Sequence, residues 1–388
     1  MSRPAARRAS RPPRPAAQRP AGRAAPGRFS KRHLHVVVLA GGAGERFWPR
    51  SRRHRPKPFL RVLGGETLLE ATLRRARKVA PADQIWIVSG REHARAVRAE
   101  AGIETSRHLV EPLRRNTGMA VAAAARWIAL VDPDAVLVVL PADHCIPDSS
   151  AFAAAIRRAA MAAAQAGVLV TLGVRPTRPE TGYGYIQVGP AAGPAHPGLH
   201  RVARFVEKPE ASRAEGFVRE GGYLWNAGIF VWTARAILEE VEACAPELGR
   251  AVALLRPGRS GGFTVASLAA AYAAAPSVPV DVAVLERSRR VWTLPVDFHW
   301  SDVGTWASLA QELGVAPGQN RLVGGQAILH GADGNLVWGN GRLVVLLGVQ
   351  GLAVIDSEDA LLVARLDGSA EVRRVVERLR AEGRDHLT

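Results

Sequence analysis

Cysteine is scarce in this chain: Cys145 and Cys244 are the only two in 388 residues. That count excludes a disulfide framework and a cysteine-based zinc site. Long apolar runs are missing too. Residues 343–355 come nearest, but they are too short to span a bilayer and contain Gln350. No apolar h-region lies near the amino end, so no secretory signal is expected. The protein reads as soluble and cytoplasmic.

Carboxylates are absent from two stretches. Residues 1–32 hold ten Lys/Arg and no Asp or Glu, so the net charge of +17 falls to +7 over the rest. This tail is rich in Arg, Pro and Ala, has no apolar periodicity and is expected to be disordered. An unstructured extension, a transit peptide and a non-specific nucleic-acid arm all suit its charge. Its prolines disfavour the amphipathic helix of a transit peptide, and it lacks the interleaved aromatics of a nucleic-acid arm. The second acid-free stretch, Arg46 to Arg61, holds seven Lys/Arg. An apolar, strand-like run and Gly41-Gly42-Ala43-Gly44 precede it. Glycines let a backbone approach an anion closely, and free N–H groups in such a turn cup it. Neither standard phosphate loop fits: Glu45-Arg46 stands where the Walker pattern needs Lys-Ser/Thr, and Phe47 where the dinucleotide pattern needs Gly. The glycines alone would read as a tight turn; the unopposed basic run favours phosphate.

Hydrophobic content of 47% supports a sizeable core. Strand and helix patterns alternate from about residue 34. Strands are expected over 36–39, 85–89, 109–110, 135–140 and 168–174. Helices are expected over 92–100, 119–130 and 151–165, with another opening at the capping box Thr67-Leu68-Leu69-Glu70. This succession predicts an α/β domain with a mainly parallel, Rossmann-like sheet covered on both faces. Loops 41–44, 111–117 and 141–144 all follow strand ends, where such sheets bind ligands. Short strands follow over 183–188, 202–206 and 228–232, then helices over 234–241 and 265–274. Residues 318–388 read as a small β-rich domain ending in a helix over 371–382, leaving 33–317 as the catalytic domain. No convincing internal repeat is visible.

Two acids stand out. Asp143, in Pro141-Ala142-Asp143-His144, closes the most apolar strand, where a carboxylate can hold Mg²⁺ bridging substrate phosphates. It also suits a plain turn or helix cap. Asp302, in Trp300-Ser301-Asp302-Val303-Gly304, could join it on the metal, or Ser301 or Asp302 could cap a helix starting at Val303. His144 reads as packed rather than catalytic. Glu207-Lys208-Pro209 suits a sugar phosphate, since the following proline restricts Lys208. Trp225-Asn226-Ala227-Gly228 offers an amide that both donates and accepts, apt for sugar hydroxyls. Gly182-Tyr183-Gly184-Tyr185 is a further Gly-rich turn.

The order of these motifs is specific. LAGGxGxRxWP with Lys57-Pro58, then EPxxRNT, PADH, GYGYI, FVEKP, WNAGIF and FxWSDVGTW occur in one chain. It resembles the mannose-1-phosphate guanylyltransferases, or GDP-mannose pyrophosphorylases, in their monofunctional short form. The resemblance runs from Val36 to Leu309, weakens towards the C-terminus and omits residues 1–32. It implies a nucleotidyltransferase α/β domain with a small β-helical domain, Mg²⁺ as cofactor, and GTP and mannose 1-phosphate as substrates. It also implies a homodimer, with no membrane or specific nucleic-acid partner. In-line attack of the sugar phosphate on the α-phosphorus would give GDP-mannose and pyrophosphate. By that pattern Gly41, Gly42 and Gly44 wrap the nucleotide, with Glu111, Asn116 and Thr117 in the loop on the nucleotide side. Arg46 holds the departing pyrophosphate and Lys57 the phosphates at the reacting centre. Asp143 and Asp302 hold the metal, and Gly184, Glu207, Lys208 and Asn226 line the sugar-phosphate side.

Two positions depart from the family: Pro58 follows Lys57 where Gln is usual, and Gly118-Met119 replaces Ala-Pro. Arg50, Arg52, Arg53 and Arg55 are read as a mobile basic rim that attracts acidic substrates. The cupin domain of bifunctional relatives is not in this sequence, so no phosphomannose isomerase activity is expected. Competing readings are a nucleotidyltransferase for another base or sugar, a non-catalytic regulatory homologue that binds nucleotide sugar, and a nucleic-acid binder driven by the tail.

Overall fold

The computed structural model describes residues 30–42, 44–62, 65–259 and 261–388. The basic tail therefore lies outside the described residues up to its last three positions. There a 3-10 turn, Lys31–His33, leads into the first strand.

Among the described residues, nine strands make the main sheet. They are β1 (Leu34–Leu39), β2 (Ile85–Gly90), β3 (His108–Glu111), β4 (Val136–Pro141), β5 (Leu169–Val174), β6 (Tyr185–Ala191), β7 (His200–Val206), β8 (Tyr223–Thr233) and β9 (Val291–Val296). Their order is β3-β2-β1-β4-β8-β5-β9-β7-β6, and β6 also meets β8. The first four strands are parallel, as expected. The remainder is mixed: β8 lies antiparallel between β4 and β5, and β6 and β7 pair antiparallel with each other. After β4 the chain re-enters the sheet two places away as β5, and the long strand β8 fills the slot from the opposite end.

Eight described helices accompany this sheet: α1 (Leu68–Ala76), α2 (Ala94–Ala101), α3 (Asn116–Val131), α4 (Ser149–Ala166), α5 (Ala211–Glu220), α6 (Ala234–Cys244), α7 (Pro246–Val252) and α8 (Val265–Ala274). The continuous apolar run of β1 is buried on both faces, and its residues alternate between two cores. Val36 and Val38 pack with Leu69 and Leu73 of α1 and Phe152 and Ile156 of α4. Val37 packs with α3 and α6 through Met119, Ile128 and Ile237. At the start of α1, Thr67 and Glu70 bond reciprocally to each other's backbone N–H, as the capping box predicted.

Beyond α9 (Trp306–Glu312) come six short strands: β10 (Arg321–Val323), β11 (Gln326–His330), β12 (Leu336–Trp338), β13 (Leu343–Leu347), β14 (Leu352–Asp356) and β15 (Leu361–Arg365). Parallel pairing of β10 with β12, β12 with β14 and β11 with β13 winds this segment as successive rungs. Paired positions stand 15–17 residues apart, so a repeat does exist, contrary to the reading of the sequence. Stacked asparagines hold it: the Asn335 amide donates to Asn320 Oδ1 at 2.8 Å, and Asn335 Oδ1 accepts from the Leu352 N–H at 2.8 Å. The closing helix is α10 (Val372–Ala381). Its Val372, Val376 and Leu379 join Phe47, Trp48, Trp306 and Trp338 in a third apolar core. This core ties the basic loop after β1 to the C-terminal region. No described helix is long and apolar enough to cross a membrane.

Candidate active site

Parallel β1, β3 and β4 bring their carboxyl ends together. The loops that follow them line one crevice of about 570 Å³, with Gly41, Gly42, Glu111, Asn116, Thr117 and Asp143 on its walls. Gly184, Glu207, Lys208 and Asn226 face them from the mixed half of the sheet, together with Asp302. An adjoining compartment of about 410 Å³ is lined by Gly44, Arg46 and Lys57 and again by Gly42, Asp143 and Asp302. Every candidate site residue read from the sequence thus reaches one of two joined spaces, and Asp143 and Asp302 belong to both.

Lys57 sits at the seam between them. It is 6% exposed, and its ammonium donates to Asp143 Oδ2 at 2.8 Å and to the Asp302 carbonyl at 2.5 Å. Burial opposes ionisation of Asp143, but the Lys57 charge, aided by His144 and hydrogen bonds, outweighs it and holds the carboxyl below its usual range. Gly44 makes this approach possible. It has φ +64°, and a Cβ there would fall 2.4 Å from Lys57 Cβ. The PADH loop is fixed from behind by α1: Thr72 Oγ1 donates to the Ala142 carbonyl at 3.2 Å, and buried Arg75 donates to the His144 carbonyl at 2.8 Å. His144 accepts from Trp300 Nε1 at 3.1 Å, and burial lowers it to about 4, a packed neutral ring.

Asp302 does not cap a helix. The helix starts at Trp306, and Thr305 caps it through the Ser308 N–H. Asp302 instead accepts from the Tyr183 hydroxyl at 2.6 Å and the Gly304 N–H at 3.0 Å. The next residue, Val303, has φ +44°, a strained conformation for a β-branched side chain. Among the described residues, the other non-glycines with positive φ are Asn116 (+61°) and Lys208 (+45°). Asn116 and Lys208 line the crevice, and Val303, itself buried, directly follows Asp302 on its wall, the usual setting for stored backbone strain.

On one side Glu111 is 9% exposed, and burial raises it to about 7. Its Oε1 is buried and makes no close hydrogen bond among the described residues, although the neighbouring buried Tyr272 hydroxyl partly offsets the upward shift. Asn116 Oδ1 accepts from the Thr117 N–H, and Thr117 Oγ1 accepts from the Val280 N–H, so this loop is braced rather than open. The unusual Gly118 has a cause, since a Cβ there would meet the Val278 carbonyl at 2.6 Å.

On the other side Asn226 spends its amide inside the protein. Its Oδ1 accepts from Thr171 Oγ1 at 2.8 Å, and its Nδ2 donates to Asp281 Oδ1 at 2.8 Å. It orients the wall instead of offering a free group. Asp281, which lines the crevice, escaped the reading of the sequence. It opens a π-helical turn, Asp281–Leu285, a distortion common at functional sites but without a sequence motif. Burial, then the nearby Glu207 carboxylate, raises Asp281 to about 7. Gly184 leaves room for Glu207, whose Oε2 would lie 2.6 Å from a Cβ there.

The basic rim needs correction. Arg52 is buried, with its guanidinium bonded to the Leu387 carbonyl and paired with Asp359. Arg50 donates to the Gly339 carbonyl at 2.8 Å and stacks over Trp338. These two arginines pin the loop to the C-terminal region, because a guanidinium can satisfy carbonyls and cover an aromatic face together.

Among the described residues no group of three or more His, Cys, Asp or Glu side chains could enclose a metal. Asp143 and Asp302 offer two hard oxygen donors on one crevice, which fits a cation that takes most of its ligands from phosphates and water.

Comparison with known proteins agrees with this geometry. Residues 35–314 match the Nucleotidyl transferase family and residues 325–379 the MannoseP isomerase/GMP-like beta-helix domain. The chain is 37% identical over 362 residues to the mannose-1-phosphate guanylyltransferase of Escherichia coli K12, covering 90% of this chain and 74% of that protein. It is 38% identical over 358 residues to Xanthan biosynthesis protein XanB of Xanthomonas campestris pv. campestris, covering 91% and 74%. A crystal structure named mannose-1-phosphate geranyltransferase, from Thermus thermophilus, superposes with a TM-score of 0.80 at 38% identity, covering 90% of this chain and 99% of that one. A family match over most of its length, a crevice built at strand ends, and relatives aligned through both the sheet and the rungs lead to one conclusion: the chain belongs to the nucleotidyl transferase family.

Proposed function

We propose that the protein transfers GMP from GTP to α-D-mannose 1-phosphate, giving GDP-mannose and pyrophosphate. The observation that carries this reading is Lys57, buried at the seam of two compartments and joined to both Asp143 and Asp302. A fixed cation there suits an α-phosphate with nucleoside on one side, sugar phosphate on another and pyrophosphate on the third. The name of the E. coli relative supports the choice of base and sugar. Glu111 supports guanine, since a carboxylate on the crevice wall suits the N1–H and 2-amino donors of that base.

Gly41, Gly42 and Gly44 offer backbone to the nucleotide phosphates, and Asn116 and Thr117 shape the base side. Glu207 and Lys208 face the mannose 1-phosphate, with Gly184 giving space and Asn226 aligning Asp281. The sugar-phosphate oxygen attacks the α-phosphorus as the bond to pyrophosphate breaks. Arg46 receives the leaving group and Lys57 stabilises charge at the reacting centre. Asp143 and Asp302 would hold Mg²⁺, which when bound neutralises phosphate charge. No residue needs to form a covalent intermediate, so catalysis is positioning and electrostatics.

A geranyl group, the word in the Thermus structure's name, would need an apolar slot. This crevice has apolar wall residues such as Leu39, Val88 and Phe230, but the charges of Glu111, Arg115, Glu207 and Lys208 set among them suit phosphates better than a geranyl chain. The reading includes cytoplasmic work on GTP and a homodimer in which a second copy covers the exposed Leu343, Val345 and Leu347 of β13. A monomeric mass by light scattering would remove the dimer. A panel of nucleoside triphosphates and sugar 1-phosphates with Mg²⁺, read by pyrophosphate release, tests the reaction. Preference for another pair would overturn the substrate assignment, and absence of turnover with tight GDP-mannose binding would favour a regulatory homologue.

A further inference from the structure

We propose that Arg373, on the C-terminal helix α10, is a phosphate-binding residue of the active site and grips the departing pyrophosphate. The proposal rests on the nucleotidyl-transfer reading above and adds a group from outside the main sheet. The smaller compartment has Gly44, Arg46, Lys57, Asp143 and Asp302 on the catalytic side, and Arg373 lines it from the C-terminal helix beside Glu45, whose charge Arg380 pairs.

The cations here are not equally available. Lys57 is committed to Asp143 and the Asp302 carbonyl. Arg46 has no side-chain hydrogen bond or ion pair among the described residues. One guanidinium is thin provision for a leaving group with several negative charges. Arg373 is the second. It is 65% exposed, with its closest carboxylate contacts at Nε, 3.0 Å from Glu377 Oε1 on its own helix and 3.6 Å from Glu45 Oε2. Both contacts run through Nε, and no Arg373 nitrogen makes a hydrogen bond among the described residues, so the exposed fork is free to turn to a bidentate phosphate contact.

Turning to phosphate would strand nothing. Glu45 keeps Arg380, whose Nη1 lies 2.7 Å from Glu45 Oε1. The base of the side chain is also fixed relative to Arg46. Val372 and Val376, on either side of Arg373 in sequence, pack in the core that contains Phe47 and Trp48. The helix that carries Arg373 and the turn that carries Arg46 therefore move as one piece.

The test compares Arg373→Ala, Arg373→Lys and, as a surface control, Arg374→Ala. Binding of inorganic pyrophosphate with Mg²⁺ is measured by calorimetry, and steady-state constants are measured in both directions. For Arg373→Ala we expect pyrophosphate affinity to weaken roughly tenfold and the KM for GTP to rise similarly, one charged contact being lost. The KM for mannose 1-phosphate and the melting temperature should stay put. Arg373→Lys should fall between, because an ammonium keeps charge but not the fork, and Arg374→Ala should match wild type. Unchanged pyrophosphate binding in Arg373→Ala would overturn the proposal. So would an equal loss for every substrate with a lowered melting temperature, which would make the residue structural. If Arg373→Ala does not fold, Arg373→Gln carries the same readout. Pyrophosphate binding requires neither base nor sugar to be known. A wild type that binds it but prefers another substrate pair sinks the guanylyl–mannose assignment alone.

Discussion

The two halves of the crevice are built differently. The half beside β1, β3 and β4 uses loops at the ends of parallel strands: glycines after β1, Glu111 at the end of β3, and the PADH turn after β4. The half beside β6, β7 and β8 uses side chains locked within or next to antiparallel strands, as where Asn226, inside β8, joins Thr171 of β5 to Asp281. The first half offers backbone and adaptable loops, which suits phosphates that every nucleotide shares. The second offers a rigid hydrogen-bonded wall, which suits discrimination among sugars that differ by one hydroxyl.

Asp143→Ala strikes the seam and should be the most damaging change, lowering kcat by roughly 10²–10³-fold, as removal of a key electrostatic group does. Near-normal turnover at high Mg²⁺ would refute its role. Asp281→Ala strips the sugar-side wall of its buried acid. We expect the KM for mannose 1-phosphate to rise by roughly 10–100-fold, in line with about 1.5–3 kcal/mol for a charged hydrogen bond, and the KM for GTP to stay within about twofold. Equal effects on both substrates would erase the division between the halves. Lys208→Ala should also act on the sugar phosphate, by about tenfold because its side chain is exposed, with GTP binding intact by calorimetry.

The smallest effect concerns Glu111 and pH. Its folded-state value of about 7 lies above the ordinary 4.5. Between these values the folded chain holds a proton that the unfolded chain has released, so this group's contribution to stability falls as pH rises from 4.5 to about 7 and is level beyond. A protonated carboxyl is also a poor acceptor for guanine. We expect kcat/KM for GTP to drop a few-fold below about pH 7, and Glu111→Gln to lose both pH dependences. A wild-type profile that stays flat through that range would remove Glu111 from base recognition.

Much of the nucleotide half was legible because its pieces are contiguous. A strand and the loop after it sit together along the chain, so the apolar pattern alone puts Gly41–Gly44, Glu111 and Asp143 at strand ends. The sugar half was legible only by resemblance, since Thr171, Asn226 and Asp281 meet through strand order that periodicity does not encode. Strand β9 was missed for a local reason. Pro295 interrupts its pattern, yet it lies past the short ladder with β7, which ends at Thr293, on a locally free edge where proline is tolerated. The rungs were missed because their spacing shifts between 15 and 17 residues and the stacking signal is a single pair of asparagines, Asn320 and Asn335. Arg50 and Arg52 were misplaced because charge alone reads as surface. Their carbonyl and aromatic partners lie some 300 residues away in sequence.

Those two pins have a consequence for how the molecule opens. The segment from Phe47 to Arg53 borrows its stability from the far end of the chain: Trp48 Nε1 donates to the Leu387 carbonyl at 2.7 Å, and the Arg53 N–H donates to the Thr388 carbonyl at 3.0 Å. In hydrogen exchange, the amides of this loop should not share the slow clock of the neighbouring strand β1, which lies in the centre of the parallel sheet. They should share the clock of α10 and the rungs, and any condition that loosens those rungs should release the phosphate loop in the same event while the sheet stays closed.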